Sequence, residues 1–397
     1  MKPDTTDACF SRIVNAVLNG NPVHVRPYKE PKVWGVNGIG EYWYGAEKGE
    51  KSSTAVVGSD TSPLYKIIEN NHEEFLGKKV VARFGMQLPL VKILTPKSRL
   101  SVQFHDNKDE LWIITGTDKE IVDGDPWIII GFSQETVDLY GKAVTEYYKK
   151  ALIIYGEALN NLIEKMIDSG YEKLLDNKND VELASQEVIH NKSGSSEIAR
   201  ALKELNTAEE GLDIFYNRQY VDTGDVVPIP SGTLHALGPG IEVVEPQIPG
   251  LSQPLEDGTT YPVRYAFPAY PQEGAIRILE IDRVSEILPE VVEKSYPEVI
   301  DETDYILIER LPGKFENKGL EVHRITFKND TEYQLSPTSA HNLIVLEGNA
   351  TLYIKDKEYN IPNAIPGGEM LIVPASSGSY KIQACKSTQI IDTFTPV

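Results

Sequence analysis

Between Ser133 and about Glu210 the chain is proline-poor, and its apolar residues recur at helical spacing, as in Leu152, Tyr155, Leu159, Leu162, Ile163 and Met166. On either side it breaks into short runs rich in Val, Ile, Trp and Tyr, punctuated by Gly and Pro. "KVWGVNGIGEYWYG", "LPLVKILTP", "LSVQFH", "LWIITG" and "PWIIIGF" precede the helical stretch, and "VVPIPSGTLHAL", "GIEVVEPQ" and "VRYAF" follow it. Such a pattern predicts a β-sandwich or barrel into which helices are inserted.

A Pro- and acid-rich connector, about residues 268–302, leads to a last β-rich stretch that echoes the earlier one. "HNLIVLEGNATLYI" and "PGGEMLIVPASSGSYKI" repeat the order strand, turn, strand, Gly-x5-Pro that also occurs at Gly224 to Pro230. The copies differ in one respect: only the first has a histidine after its proline, in Pro230-Ser231-Gly232-Thr233-Leu234-His235. Ahead of all this, Phe10, Ile13, Val14, Val17 and Leu18 predict a short amphipathic helix ending at Gly20.

Charge and cysteine usage narrow the function. The 397 residues carry 39 basic and 59 acidic side chains, a net charge of −20, which argues against broad nucleic-acid or anionic-membrane binding. A small anionic substrate stays compatible, because a local cluster of cations overrides the mean field at short range. The two cysteines, Cys9 and Cys385, form no metal spacing and no disulfide framework, as expected in a reducing compartment. With no signal-like start and no apolar run near the ~20 residues of a membrane span, the expectation is a cytoplasmic protein.

The chemistry concentrates in "SVQFHDNKDELW". Gln103 and His105 are two apart and leave one face of a strand, and the polar turn before Glu110 lets that carboxylate come back toward them. His235 closes a Gly-x5-Pro-x-Gly-x2-His segment and is the fourth candidate ligand. An amide oxygen, two imidazoles and a carboxylate suit a divalent ion such as zinc. His24, His72, His190, His323 and His341 have no such company and read as surface or satisfied core residues. "GIGEYWYG" reads as a structural strand pair, since no helix follows it to make a nucleotide loop.

Together the two segments resemble the cupin signature, with Gln103 in place of its first histidine. "LPLVKILTPKSRLSVQFH", "GDVVPIPSGTLHALGPGIEVVEPQ", "TTYPVRYAF" and "GIGEYWYG" further resemble segments of the type I phosphomannose isomerases, in blocks from about residue 33 to 267. The resemblance implies a mainly β fold with an α-helical insertion, built from two cupin-like β-barrel (jelly-roll) units, the second degenerate. Residues 1–132 and 215–267 would form the catalytic unit, 133–214 the helical insertion, 268–302 a connector and 303–397 the metal-free second unit. It implies one divalent metal ion, most simply zinc, on Gln103, His105, Glu110 and His235. Arg264 would be the catalytic arginine and Glu245 a second catalytic acid, with Ser101, Lys92 and Lys108 at the substrate.

The implied reaction is the interconversion of mannose 6-phosphate and fructose 6-phosphate, moving a proton between C1 and C2 through a cis-enediol. Glu245, a metal-bound water and a histidine are all admissible proton carriers. The family separates its ligand histidine and glutamate by a longer loop bearing two lysine motifs; here four residues intervene, and Lys108 can correspond to either lysine or to neither. An isomerase or epimerase of an unphosphorylated sugar, and a non-catalytic metal-bearing sugar-binding cupin, are the rival readings.

Overall fold

Strand alternation sorts the β-type runs into four antiparallel sheets, each burying one or both faces against a neighbouring layer. The structure, a computed structural model, describes residues 5–105, 108–118, 120–121, 124–171, 173–174, 181–191, 196–248, 260–264, 279–289, 291–292, 295–313, 315 and 318–397. A five-stranded sheet runs in the order Tyr216–Tyr220, Trp127–Phe132, His235–Leu237, Val102–His105, Thr260–Arg264. A six-stranded sheet runs Val226–Ile229, Glu110–Thr117, Ile241–Gln247, Leu90–Leu94, Ile39–Tyr44, Tyr28–Val36.

The parity of each strand assigns its side chains to layers. Leu94, Trp112, Ile114 and Val243 of the six-stranded sheet pack with Ile128, Ile130 and Leu237 of the five-stranded one, so these two sheets face each other. The opposite face of the five-stranded sheet, with Val102, Phe104 and Ile129, packs on the helices. The opposite face of the six-stranded sheet, with Val91, Ile93, Leu111 and Ile113, shares a core with Val25, Ile344, Ile372 and Ile391.

Those last residues belong to a nine-stranded sheet. It joins Glu298–Glu302, Ile306–Arg310, Glu321–Phe327, Gln389–Phe394, His341–Glu347 and Met370–Val373 to Val23–Arg26, Thr54–Val57 and Asp60–Pro63 from the start of the chain. The seam is the antiparallel pairing of Val23–Val25 with Met370–Ile372. Its far face packs on the four strands Thr331–Leu335, Tyr380–Ala384, Ala350–Ile354 and Lys357–Ile361.

The proline-poor segment forms helices Gln134–Tyr140, Val144–Asp168, Val181–His190 and Ser196–Asp213. The apolar stripe from Leu152 to Met166 is buried in a core shared with helix Ser196–Asp213 and the five-stranded sheet. The amphipathic segment at the start is the helix Thr5–Leu18, whose Ile13 and Val17 enter the shared core. Among the described residues no helix is long and apolar enough to cross a membrane.

Candidate metal centre

The same alternation that buries Val102 and Phe104 against the helices turns Gln103 and His105 inward, between the five- and six-stranded sheets. His235 enters beside them because its strand pairs with Val102–His105 in a register that sets His235 opposite Gln103. From the facing sheet, Glu110 and Trp112 point into the same layer, while Leu111 and Ile113 face away. Between the arms of the site, the amide of Gly232 donates to the carbonyl of His105 at 2.7 Å. Gly232 has φ +83°, a left-handed conformation that favours glycine.

His105, Glu110 and His235 therefore converge, each offering a ligand atom within 4.8 Å of the others, and all are buried. His105 Nε2 lies 3.1 Å from Glu110 Oε1, and His235 Nε2 lies 4.0 Å from Glu110 Oε2. The Gln103 amide is 3.4 Å from His235 Nε2. A half-turn of that amide exchanges its nitrogen and oxygen and offers an oxygen to the same point.

Several features fit a divalent cation. His105 Nδ1 is buried without a hydrogen bond, and Nε2 has the Glu110 carboxylate beside it but no well-aligned hydrogen bond, a poorly satisfied state for a buried imidazole. His235 Nδ1 lies 2.8 Å from the Thr233 carbonyl, which can only accept, so Nδ1 carries the proton and Nε2 keeps its lone pair. Burial, and then Lys108, push His105 down to about 3, and burial lowers His235, so both are neutral ligands near pH 7. Burial opposes ionisation of Glu110, yet the Lys108 ammonium prevails and Glu110 is held well below the usual carboxylate range.

Next to this cluster, on the inner face of the six-stranded sheet, lies a row of alternating charge. Lys92 Nζ, in mid-strand and 8% exposed, sits 3.3 Å from Glu245 Oε1 and 3.4 Å from Glu41 Oε2. Glu41 in turn meets Lys32 at 3.5 Å. Burial works against the charge of Lys92, but Glu245 and Glu41 more than offset it and keep the ammonium protonated. Burial also works against Glu41, and Lys92, Lys32 and the Trp43 indole overcome it, holding Glu41 at about 2. Glu245 is raised by burial and by Glu110, against the pull of Lys92. Its Oε2 accepts from the Trp112 indole at 2.9 Å, and the Trp112 ring meets His235 edge to face at 5.6 Å. Trp112 thus links the row to the cluster.

The site residues anticipated from sequence fall into three groups. His105, Glu110 and His235 come together with Gln103 at their side, and Lys92 and Glu245 form the adjacent pair. Lys108 ion-pairs with Glu110 Oε1. Ser101 is half-buried one residue before the Val102–His105 strand. The backbone of Arg264 pairs opposite Val102, and its side chain lies outside the described residues. Sequence reasoning missed Glu41 and Trp112. "IGEYW" is indeed a strand of a hairpin with Tyr28–Val36, but alternation also puts Glu41 and Trp43 on the inner face, where Trp43 pairs opposite Lys92.

Residues 23–125 match the family model of the phosphomannose isomerase type I catalytic domain. No curated protein matches the sequence. Among solved structures, the mannose 6-phosphate isomerase of Bacillus subtilis is similar over 94% of this chain and 99% of its own, with a TM-score of 0.61 and 19% identity. A variant of the phosphomannose isomerase of Salmonella typhimurium is similar over 95% of this chain and 100% of its own, with a TM-score of 0.61 and 14% identity. A zinc-bound mannose 6-phosphate isomerase gives the same coverage, TM-score and identity. At these identities the likeness to solved structures establishes the fold.

Proposed function

We propose that this chain, an isomerase carrying the type I phosphomannose isomerase catalytic domain over residues 23–125, interconverts mannose 6-phosphate and fructose 6-phosphate at a single zinc ion. The observation that carries this reading is the convergence of His105 and Glu110, both within the matched residues, with His235 and with Gln103 beside them. The zinc-bound relative supports the choice of ion. When bound, zinc acts as a Lewis acid toward the sugar oxygens.

The protein's own groups supply the rest. Burial of the ligand cluster between two sheets excludes bulk water and strengthens every charge interaction there. Glu245 Oε1, ion-paired with Lys92 at 3.3 Å, is the atom at which we place the proton moved between C1 and C2. Lys92 and the Trp112 indole hold that carboxyl in one orientation. Arg264, on the strand beside the ligand strand, is the group we assign to the negative charge of the enediolate. Ser101 opens the ligand strand and is assigned to substrate binding.

In fold terms, we read the five- and six-stranded sheets as a cupin-like jelly roll, with 133–214 inserted into it. The nine- and four-stranded sheets are then a second, metal-free copy; the repeated Gly-x5-Pro spacing supports this.

A second reading keeps the ion and removes the phosphate. It is favoured by a specific observation: Lys92 and Lys108, the two lysines the family resemblance gives to substrate, are both in ion pairs with buried carboxylates. A coupled assay with mannose 6-phosphate and with mannose separates the two. The phosphate reading expects turnover of the phosphorylated sugar that EDTA abolishes and zinc restores. Undiminished turnover after complete zinc removal would end both.

A further inference from the structure

Asp109, one residue before Glu110, is buried and has no part in the chemistry above, yet it joins three segments of the chain. Its Oδ1 accepts from the Ser231 amide at 2.8 Å, in the turn that leads to His235. Its carbonyl accepts from the Ile248 amide at 3.3 Å, just past the strand that bears Glu245. Its Oδ2 lies 2.5 Å from Nζ of Lys318.

Lys318 comes from the far half of the molecule, three residues before the strand Glu321–Phe327 of the nine-stranded sheet. Its backbone is docked just ahead of the strand Leu90–Leu94 of the six-stranded sheet: Gln87 Nε2 donates to the carbonyls of Lys318 and Gly319 at 3.0 and 3.3 Å. Gly319 has φ +88°, and a Cβ there would fall 2.6 Å from Gln87 Nε2, so a glycine is what permits the close approach. A carboxylate buried to 2% exposure with one side-chain hydrogen bond is costly without a cation, and Lys318 is the cation at its second oxygen.

We propose that Lys318 is a positioning residue of the metal centre. By neutralising Asp109 it fixes the start of the Glu110 strand against the Ser231 turn, so that Glu110 and His235 are held in ligand geometry. The C-terminal sheets thereby act on the site without touching substrate. This rests on the zinc reading above. A staple that merely joined the two halves would lower the unfolding temperature and leave metal affinity alone.

The test is the zinc affinity of the full chain, by competition with a chromogenic chelator, for wild type, Lys318→Met, Lys318→Arg, Asp109→Asn and the Asp109→Asn/Lys318→Met double variant. Thermal unfolding of each reports folding. Lys318→Met is expected to weaken zinc binding roughly 10-fold, the low end of what outer partners of metal ligands contribute. Arginine restores most of the loss, and in the Asp109→Asn background the methionine change adds nothing. Should the methionine variant not fold, Asp109→Asn alone tests the same link and is expected to weaken zinc binding to a similar degree. Unchanged affinity in the folded variants, or an undiminished methionine effect in the Asn background, overturns the role of Lys318. A wild-type chain that binds no zinc overturns the metal reading itself, and this inference with it.

Discussion

His235 donates from Nδ1 to the carbonyl of Thr233, 2.8 Å away and two residues earlier in the same turn. That single bond decides which nitrogen of the ring is basic, and the basic one, Nε2, faces Gln103 and Glu110. Removing the ring should remove the ion. His235→Ala is expected to lose zinc affinity by at least about 100-fold, more than the loss of an outer partner produces. Metal analysis after dialysis checks this; a folded His235→Ala protein that retains one zinc per chain would exclude His235 as a ligand.

Lys92 holds the buried Glu245 and the half-buried Glu41 apart, and its removal leaves both without their shared cation. Truncating one partner of a buried ionic group typically destabilises by about 3–5 kcal/mol. Lys92→Met is therefore expected to lose stability of that order in urea unfolding of the metal-free protein. Adding Glu41→Gln, which removes one of the two stranded charges, should recover part of the loss. A Lys92→Met protein within about 1 kcal/mol of wild type, the range of an exposed pair, would contradict the role assigned to this network.

How much of the site is visible in the sequence follows from the range of the interactions. Gln103, His105 and Glu110 lie within eight residues, and strand parity plus one short turn suffices to predict that they converge. The glycines around His235 mark its tight turn in the same local way. Lys92 is conspicuous in mid-strand, but its partner Glu41 is not, because their meeting depends on how Ile39–Tyr44 registers against Leu90–Leu94. Asp109 and Lys318 are farther beyond reach: nothing local distinguishes Lys318 from any half-exposed lysine. The helical insertion and the β-rich flanks are read from composition and period alone. The union of Val23–Arg26 with Met370–Val373 in one sheet is not, since sheet partnership between the two ends of a chain leaves no periodic trace.

The two histidines proposed as ligands predict how the metal-free protein responds to acid. In the unfolded chain each takes up a proton below an ordinary value of about 6.5. In the fold, burial and Lys108 keep His105 neutral down to about 3, and burial lowers His235 too. The unfolded state then binds more protons, so stability falls as pH drops below about 6.5 and is insensitive to these groups above it. The expected slope from His105 is about 1 kcal/mol per pH unit, and His235 adds to it in the same sense. Glu110 acts in the same sense at lower pH, because its folded value lies below the ordinary 4.5. Urea midpoints of the EDTA-treated protein between pH 4.5 and 7.5 check this. Replacing both histidines with glutamine should flatten the profile between about 6.5 and 4.5, and a profile indifferent to that change would refute the assignment.

Lys108 ion-pairs with Glu110 Oε1, so its ammonium and a bound metal would compete for one carboxylate. Removing the ammonium removes a charge-assisted hydrogen bond, worth about 1.5 kcal/mol, from the side of the competitor. Lys108→Met is therefore expected to bind zinc roughly 10-fold more tightly, by the same chelator competition. The variant also decides what Lys108 does once zinc displaces it. If it then grips the substrate's phosphate, KM for mannose 6-phosphate rises about 10-fold in Lys108→Met with kcat little changed, while KM for mannose is unaffected. An equal effect on both sugars would place Lys108 at the sugar ring or the metal, and would remove the phosphate from its charge.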